Sequence, residues 1–71
     1  MTLKMFLELL ASDRIEVLVE NHDCMPLIQG QACEVMRDAD ILMDHTIQKI
    51  GVYSDVNGAL LIITLREMED K

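Results

Sequence analysis

The tetrapeptide Asp55-Val56-Asn57-Gly58 lies between two strand-like runs, TIQKIGVYS and ALLIITLRE, and constrains this chain more than any other stretch. Asn-Gly between two such runs is a hairpin signal. A type I′ turn needs φ > 0 at both central residues, which Asn and Gly tolerate and β-branched residues resist. With Asn57 and Gly58 at the centre, Val56 faces Ala59 and the register of the ribbon follows. One face then carries Ile50, Val52, Val56, Leu61, Ile63 and Leu65. The other carries Lys49, Tyr53, Asp55, Leu60, Ile62 and Thr64.

Upstream of the hairpin, Leu3, Phe6, Leu7 and Leu10 have the i, i+3, i+4, i+7 spacing of a buried helical stripe. Thr2 is its cap, and the helix is expected over 3–11. Met5 and Leu9 widen the apolar side beyond what packing on one sheet needs. Arg14 to Asn21 alternates as a strand, with Ile15, Val17 and Val19 on one side and Glu16, Leu18 and Glu20 on the other. Asn21-His22-Asp23-Cys24 is a polar turn. Met25 to Gln29 returns as a second strand, with Pro26 at its start or on an edge because Pro has no N–H to donate. Gly30 is expected to end that strand or form a bulge.

Residues 31–45 show no more than a helical turn at 32–36 and the apolar plug Ile41-Leu42-Met43, expected under a sheet edge. From Glu67 a charged tail is expected. The order helix, strand, strand, irregular segment, strand, strand predicts an α+β fold. An N-terminal helix packs on a four-stranded, mainly antiparallel sheet, leaving the other face to water or a partner.

A single domain spanning residues 1–71 is expected. At this size folding buries only roughly 60% of the unfolded surface. The 51% apolar content, with 6 Met and 1 Phe, implies an adaptable aliphatic core. It suits a monomer, or a homo-oligomer that hides surplus apolar surface. Thirteen acidic against 6 basic side chains leave a net charge of −7, which disfavours direct binding to a phosphate backbone. The same charge serves solubility and attracts basic protein surfaces, including those that hold nucleic acid. The N-terminal stretch, interrupted by Glu8, does not read as a signal peptide, and the longest apolar run, Ala59 to Ile63, is far below a membrane span. The expectation is a cytoplasmic protein with Cys24 and Cys33 reduced and no membrane contact.

Little in the chain suggests chemistry. His22, Cys24, Cys33 and His45 are zinc-ligand types, but the spacing H-x-C-x8-C-x11-H lacks the tight Cys pairs that close a tetrahedral site. Asp38, Asp40 and Asp44 lack the register and the late Glu of a calcium loop. No Gly-rich phosphate loop occurs. The reading is a non-enzyme with no cofactor and no metal. The candidate partner-binding residues are the acids Glu16, Glu20, Asp38, Asp40 and Asp44 with the apolar anchors Tyr53, Leu60 and Ile62. Leu18, Met5 and Leu9 extend the apolar set. Either a partner or sister subunit covers Tyr53, Leu60 and Ile62, or segment 31–45 folds back over them.

The layout also resembles a known group. The MTLKMFLELL helix, the strand RIEVLVEN, the returning LIQGQA and the hairpin through NGALLIITL are similar to small bacteriophage and prophage proteins of Firmicutes whose function is unassigned. The chain departs from them in the first turn, where Asn21-His22-Asp23-Cys24 replaces the usual Asp/Asn-Gly. The resemblance implies a mobile-element protein in a bacterial host and carries no catalytic residues. By analogy with anti-CRISPR proteins, it implies inhibition of a host nucleic-acid-handling defence enzyme by occupying its basic surface. The alternative is a homo-oligomeric accessory protein whose apolar face serves self-association alone.

Overall fold

The computed structural model describes residues 1–12 and 14–67. Strands β1 (Glu16–Glu20), β2 (Pro26–Gln31), β3 (Ile47–Asp55) and β4 (Gly58–Leu65) form one mixed sheet in the order β2-β1-β4-β3. The outer pairings, β1 with β2 and β3 with β4, are antiparallel, whereas the central β1–β4 pairing is parallel. Helices α1 (Leu3–Leu9) and α2 (Ala32–Asp38) both pack on one face, called here the inner face. The protein is α+β, with its N-terminal helix on a four-stranded sheet.

The alternation in β1 decides which face is inner. Val17 and Val19 are fully buried, and their parallel neighbours Leu61 and Ile63 point the same way. Leu3 and Leu7 from α1, Ala32 and Val35 from α2, and Ala39 and Met43 complete the core with Leu65. The Thr2 hydroxyl accepts from the Met5 N–H at 3.3 Å, and the helix stops at Leu9, two residues short of the expected end. Its first two amides are satisfied by a distant segment: Leu3 N–H donates to the His45 carbonyl and Lys4 N–H to that of Met43. Thr2 also bridges Thr46, and Ile47 N–H donates to the Met1 carbonyl. The chain start and residues 43–47 therefore form one strap.

The segment between the hairpins is more ordered than its sequence suggested. Helix α2 and its C-cap residue place Ala32, Val35, Met36 and Ala39 at i, i+3, i+4 and i+7, on the side that meets the core. Glu34 Oε1 accepts from the Gln31 N–H at 3.1 Å, closing the N-terminus. A 3-10 turn, Asp40–Leu42, follows. Of the expected plug, Met43 is buried and Leu42 half-buried, but Ile41 is 86% exposed.

Several other expectations are corrected. The closing pair of the last hairpin is Asp55 with Gly58, so Val56 and Asn57 form the loop, and Ala59 faces Ser54 rather than Val56. Asp55 Oδ1 accepts from the Asn57 N–H at 2.8 Å, and Gly58 alone takes the positive φ, +130°. This spares the β-branched Val56 a left-handed conformation. The shift is two residues, so every side chain keeps its expected face. Gly30 lies inside β2 opposite Val17, and the irregularity falls between Val19 and Glu20 instead. Pro26 opens an edge strand, as expected. Of the charged tail expected from Glu67, residues 68–71 lie outside the described residues.

In the first turn the Asn21 side chain accepts from the Asp23 and Met25 amides at 2.9 and 3.0 Å, and Cys24 sits at φ +65°. A left-handed non-Gly residue costs about 1–2 kcal/mol, and Gly's extra unfolded-state freedom returns about 0.5–1 of it. Cys24→Gly is therefore expected to raise stability by about 0.5–1 kcal/mol, read as a higher urea midpoint at unchanged slope. In the same assay Met43→Ala is expected to cost about 2–5 kcal/mol, whereas Ile41→Ser stays within about 0.5 of wild type.

Candidate functional site

With both helices on the inner face, the outer face of the sheet is left uncovered by the described residues. Leu18 on β1 lies beside Ile62 on β4, which faces Gly51 on β3; one row along, Leu60 faces Tyr53. Leu18, Leu60 and Ile62 are half-buried by one another, and Tyr53 is 57% exposed. Glu16 and Glu20 project from the same side of β1, because they alternate with the buried Val17 and Val19. Lys49 lies across from Thr64 at one end of the patch. The Thr64 hydroxyl, buried between its neighbours, donates to Glu20 Oε1 at 2.8 Å. That bond fixes one carboxylate at the rim. An open groove of about 330 Å³ runs along this face, lined by Glu16, Gln29, Tyr53, Asp55, Leu60 and the hairpin tip.

The expected site residues therefore divide. Glu16, Glu20, Tyr53, Leu60 and Ile62 share the outer face. Asp38, Asp40 and Asp44 lie on the helical side, at the end of α2, in the 3-10 turn and just after it. Met5 and Leu9, 53% and 70% exposed, are on α1 and so belong to that layer too. Segment 31–45 does not fold over Tyr53, Leu60 and Ile62, since its apolar residues Ala32, Val35, Ala39 and Met43 are spent on the inner core.

Asp38 is also less available than its exposure suggests. Arg37 grips it through Nε at 2.9 Å and Nη2 at 3.2 Å. The guanidinium holds the Asp38 carboxyl below its ordinary value, mainly through these hydrogen bonds, and Asp38 raises Arg37 in turn. Asp40 and Asp44 instead flank Lys4 around a small groove.

Cys24 and Cys33 are free thiols, in the first turn and in α2 respectively. Cys33 Sγ donates weakly to Gln31 Oε1 at 3.8 Å. His22 stands 3.3 Å from Asp23 and 3.8 Å from Glu67, and it lines a groove with His45 that neither cysteine enters. Among the described residues no three His, Cys, Asp or Glu side chains converge as a metal cluster. No helix among them is long and apolar enough to cross a membrane.

Comparison with protein-family profiles, curated proteins and solved structures found no match to this chain. The outer face must be read on its own chemistry. Leu18, which extended the apolar set in the sequence, is brought into the patch beside Ile62. Its signal was the one apolar residue on the polar side of β1, and its importance depends on the parallel pairing with β4.

A folded value below 3.8 means that the charged form of Asp38 is favoured in the fold. Its contribution is present above pH 3.8 and is lost as pH falls through the lowered value. NMR titration is expected to show Asp38 ionising below 3.8 in the native chain and returning toward the ordinary carboxylate range in Arg37→Gln.

Proposed function

We propose that this chain is a non-catalytic protein-binding domain that docks the outer face of its sheet onto a basic protein surface. The observation that carries this reading is the uncovered patch of Leu18, Tyr53, Leu60 and Ile62 on the same face as Glu16 and Glu20. An apolar centre with an aromatic anchor and a polar rim is the usual anatomy of a protein interface. The two carboxylates and the net charge of −7 steer the approach of a cationic partner.

In its sharper form the partner is a host nucleic-acid-handling defence enzyme, and the chain occupies the groove that holds its nucleic acid. That step rests on the charge and on the resemblance to phage proteins. A face-to-face contact with a second copy suits this surface less well, since Glu16 and Glu20 of both chains would converge with only Lys49 in compensation. Asp38, Asp40 and Asp44 drop out of the docking set because they lie on the other layer.

The test is capture of host proteins with immobilised chain. A nucleic-acid-binding protein is expected, displaced by duplex DNA and by raised salt. Tyr53→Ala should weaken it by about 2 kcal/mol, roughly thirtyfold in Kd. Glu16→Lys with Glu20→Lys should abolish capture, and Asp40→Lys should leave it intact. Capture that survives the double reversal on β1 but fails with Asp40→Lys would place the contact on the helical layer.

A further inference from the structure

We infer that β3 pairs edge to edge with β3 of a second copy of this chain, antiparallel and centred on Val52. Strand β3 is one edge of the sheet, and the strap from Met1 to Leu3 covers only its beginning, at Thr46 and Ile47. From Lys49 to Asp55 nothing among the described residues lies beside it. This stretch contains no Pro and no bulge, two of the devices that blunt an edge; its one lysine, Lys49, is answered by Asp55 of the second copy. The opposite edge, β2, does have such protection, since it begins with Pro26 and runs directly into α2.

The hairpin dictates which backbone groups are free. A two-residue loop closes on a pair that exchanges both backbone bonds, here Asp55 and Gly58. Bonding then alternates, so Asp55, Tyr53, Gly51 and Lys49 turn their N–H and C=O groups toward β4. Ser54, Val52 and Ile50 turn theirs outward.

Those outward groups allow a symmetric antiparallel partner, and the side chains select its register. With Val52 opposite Val52, Ile50 meets Ser54, Gly51 meets Tyr53 and Lys49 meets Asp55, each contact occurring twice by symmetry. Lys49 has no ion pair among the described residues. Asp55 uses Oδ1 to close its own turn, and a carboxylate can accept further bonds. A side chain placed on Gly51 would meet nothing within 4 Å, leaving open space for the tyrosine ring of the second copy. Centring on Ile50 would set Lys49 against Gly51, and centring on Ser54 would set Tyr53 against Asp55. Neither brings the opposite charges together. The chosen register forms about six backbone bonds and covers Val52 and Ile50, now 68% and 44% exposed. It goes beyond the docking reading, because an edge contact leaves the outer face open.

The test starts from a Cys24→Ser, Cys33→Ser background, with circular dichroism confirming that each variant keeps the fold. Sedimentation over a concentration series should show a species of twice 8.1 kDa. Lys49→Glu places like charges opposite each other at two sites and should raise the dimer Kd about tenfold or more. Asp55→Asn keeps the turn acceptor while removing the charge. It should weaken the native dimer yet strengthen the Lys49→Glu dimer, an inversion that only direct pairing produces. Under mild oxidation Val52→Cys should cross-link two copies, and Ser54→Cys should not, since its two sulfurs would start from positions about 14 Å apart along the strand. A strict monomer, an Asp55→Asn effect of the same sign in both backgrounds, or cross-linking through Ser54→Cys overturns the inference.

Discussion

The structure depends on the parallel contact between β1 and β4. Each of these strands already belongs to an antiparallel hairpin, and their pairing joins the two hairpins into one sheet. Val17 beside Leu61 and Val19 beside Ile63 bring together residues separated by most of the chain. Such a contact bears a large loop-closure cost before it returns any burial. The cost is met because Val17, Val19 and Ile63 are all removed from water and α1 and α2 close over them. An isolated two-stranded hairpin would be marginal in water. Joined through β1 and β4, each hairpin shares a core that neither could build alone.

That central pairing also accounts for the asymmetry of the two faces. Parallel strands in phase place Val17, Val19, Leu61 and Ile63 on one side and Leu18 with Ile62 on the other. The described residues form two α-helices, and the strap through Met1, Thr2, Met43 and His45 ties α1 to the segment that follows α2. Both helices are thereby drawn to the same side. Nothing within the described chain remains to cover Leu18, Tyr53, Leu60 and Ile62.

The parts of this arrangement governed by local rules were legible in the residues. The alternation of Val17 and Val19, the α1 stripe, the Pro26 edge and the facial partition of the last hairpin all follow from neighbouring positions. The turn was misplaced by one residue, and the cross-strand pairing with it by two, because the φ > 0 rule was applied to Asn57 and Gly58 together. The Asp55 side chain supports Asn57 instead, and Gly58 takes the left-handed position alone. Helix α2 was legible only as a turn over 32–36; it runs on to Asp38, with Ala32, Val35 and Met36 on one buried stripe that Ala39 extends. The split of the candidate acids between two layers had no local signal at all. Glu16 and Asp40 are equally polar in the sequence, and only the sheet order and the strap assign them to opposite sides.

The apolar surplus that composition revealed is divided between two kinds of surface, which call for different occupants. An edge presents backbone groups and is satisfied by another strand; its side chains choose the register. A face presents side chains alone and is satisfied by shape and charge. On β3 the charges are self-complementary, Lys49 and Asp55 being equidistant from Val52, so a second copy suits the edge. On the outer face they are not, since Glu16 and Glu20 outnumber Lys49, so a foreign cationic surface suits the face. The two contacts are also compatible. Pairing through β3 would extend the four strands of each chain into one sheet with both docking patches on the same side. Two linked patches raise the effective concentration of the second contact once the first is made, provided the target offers basic sites at a matching separation.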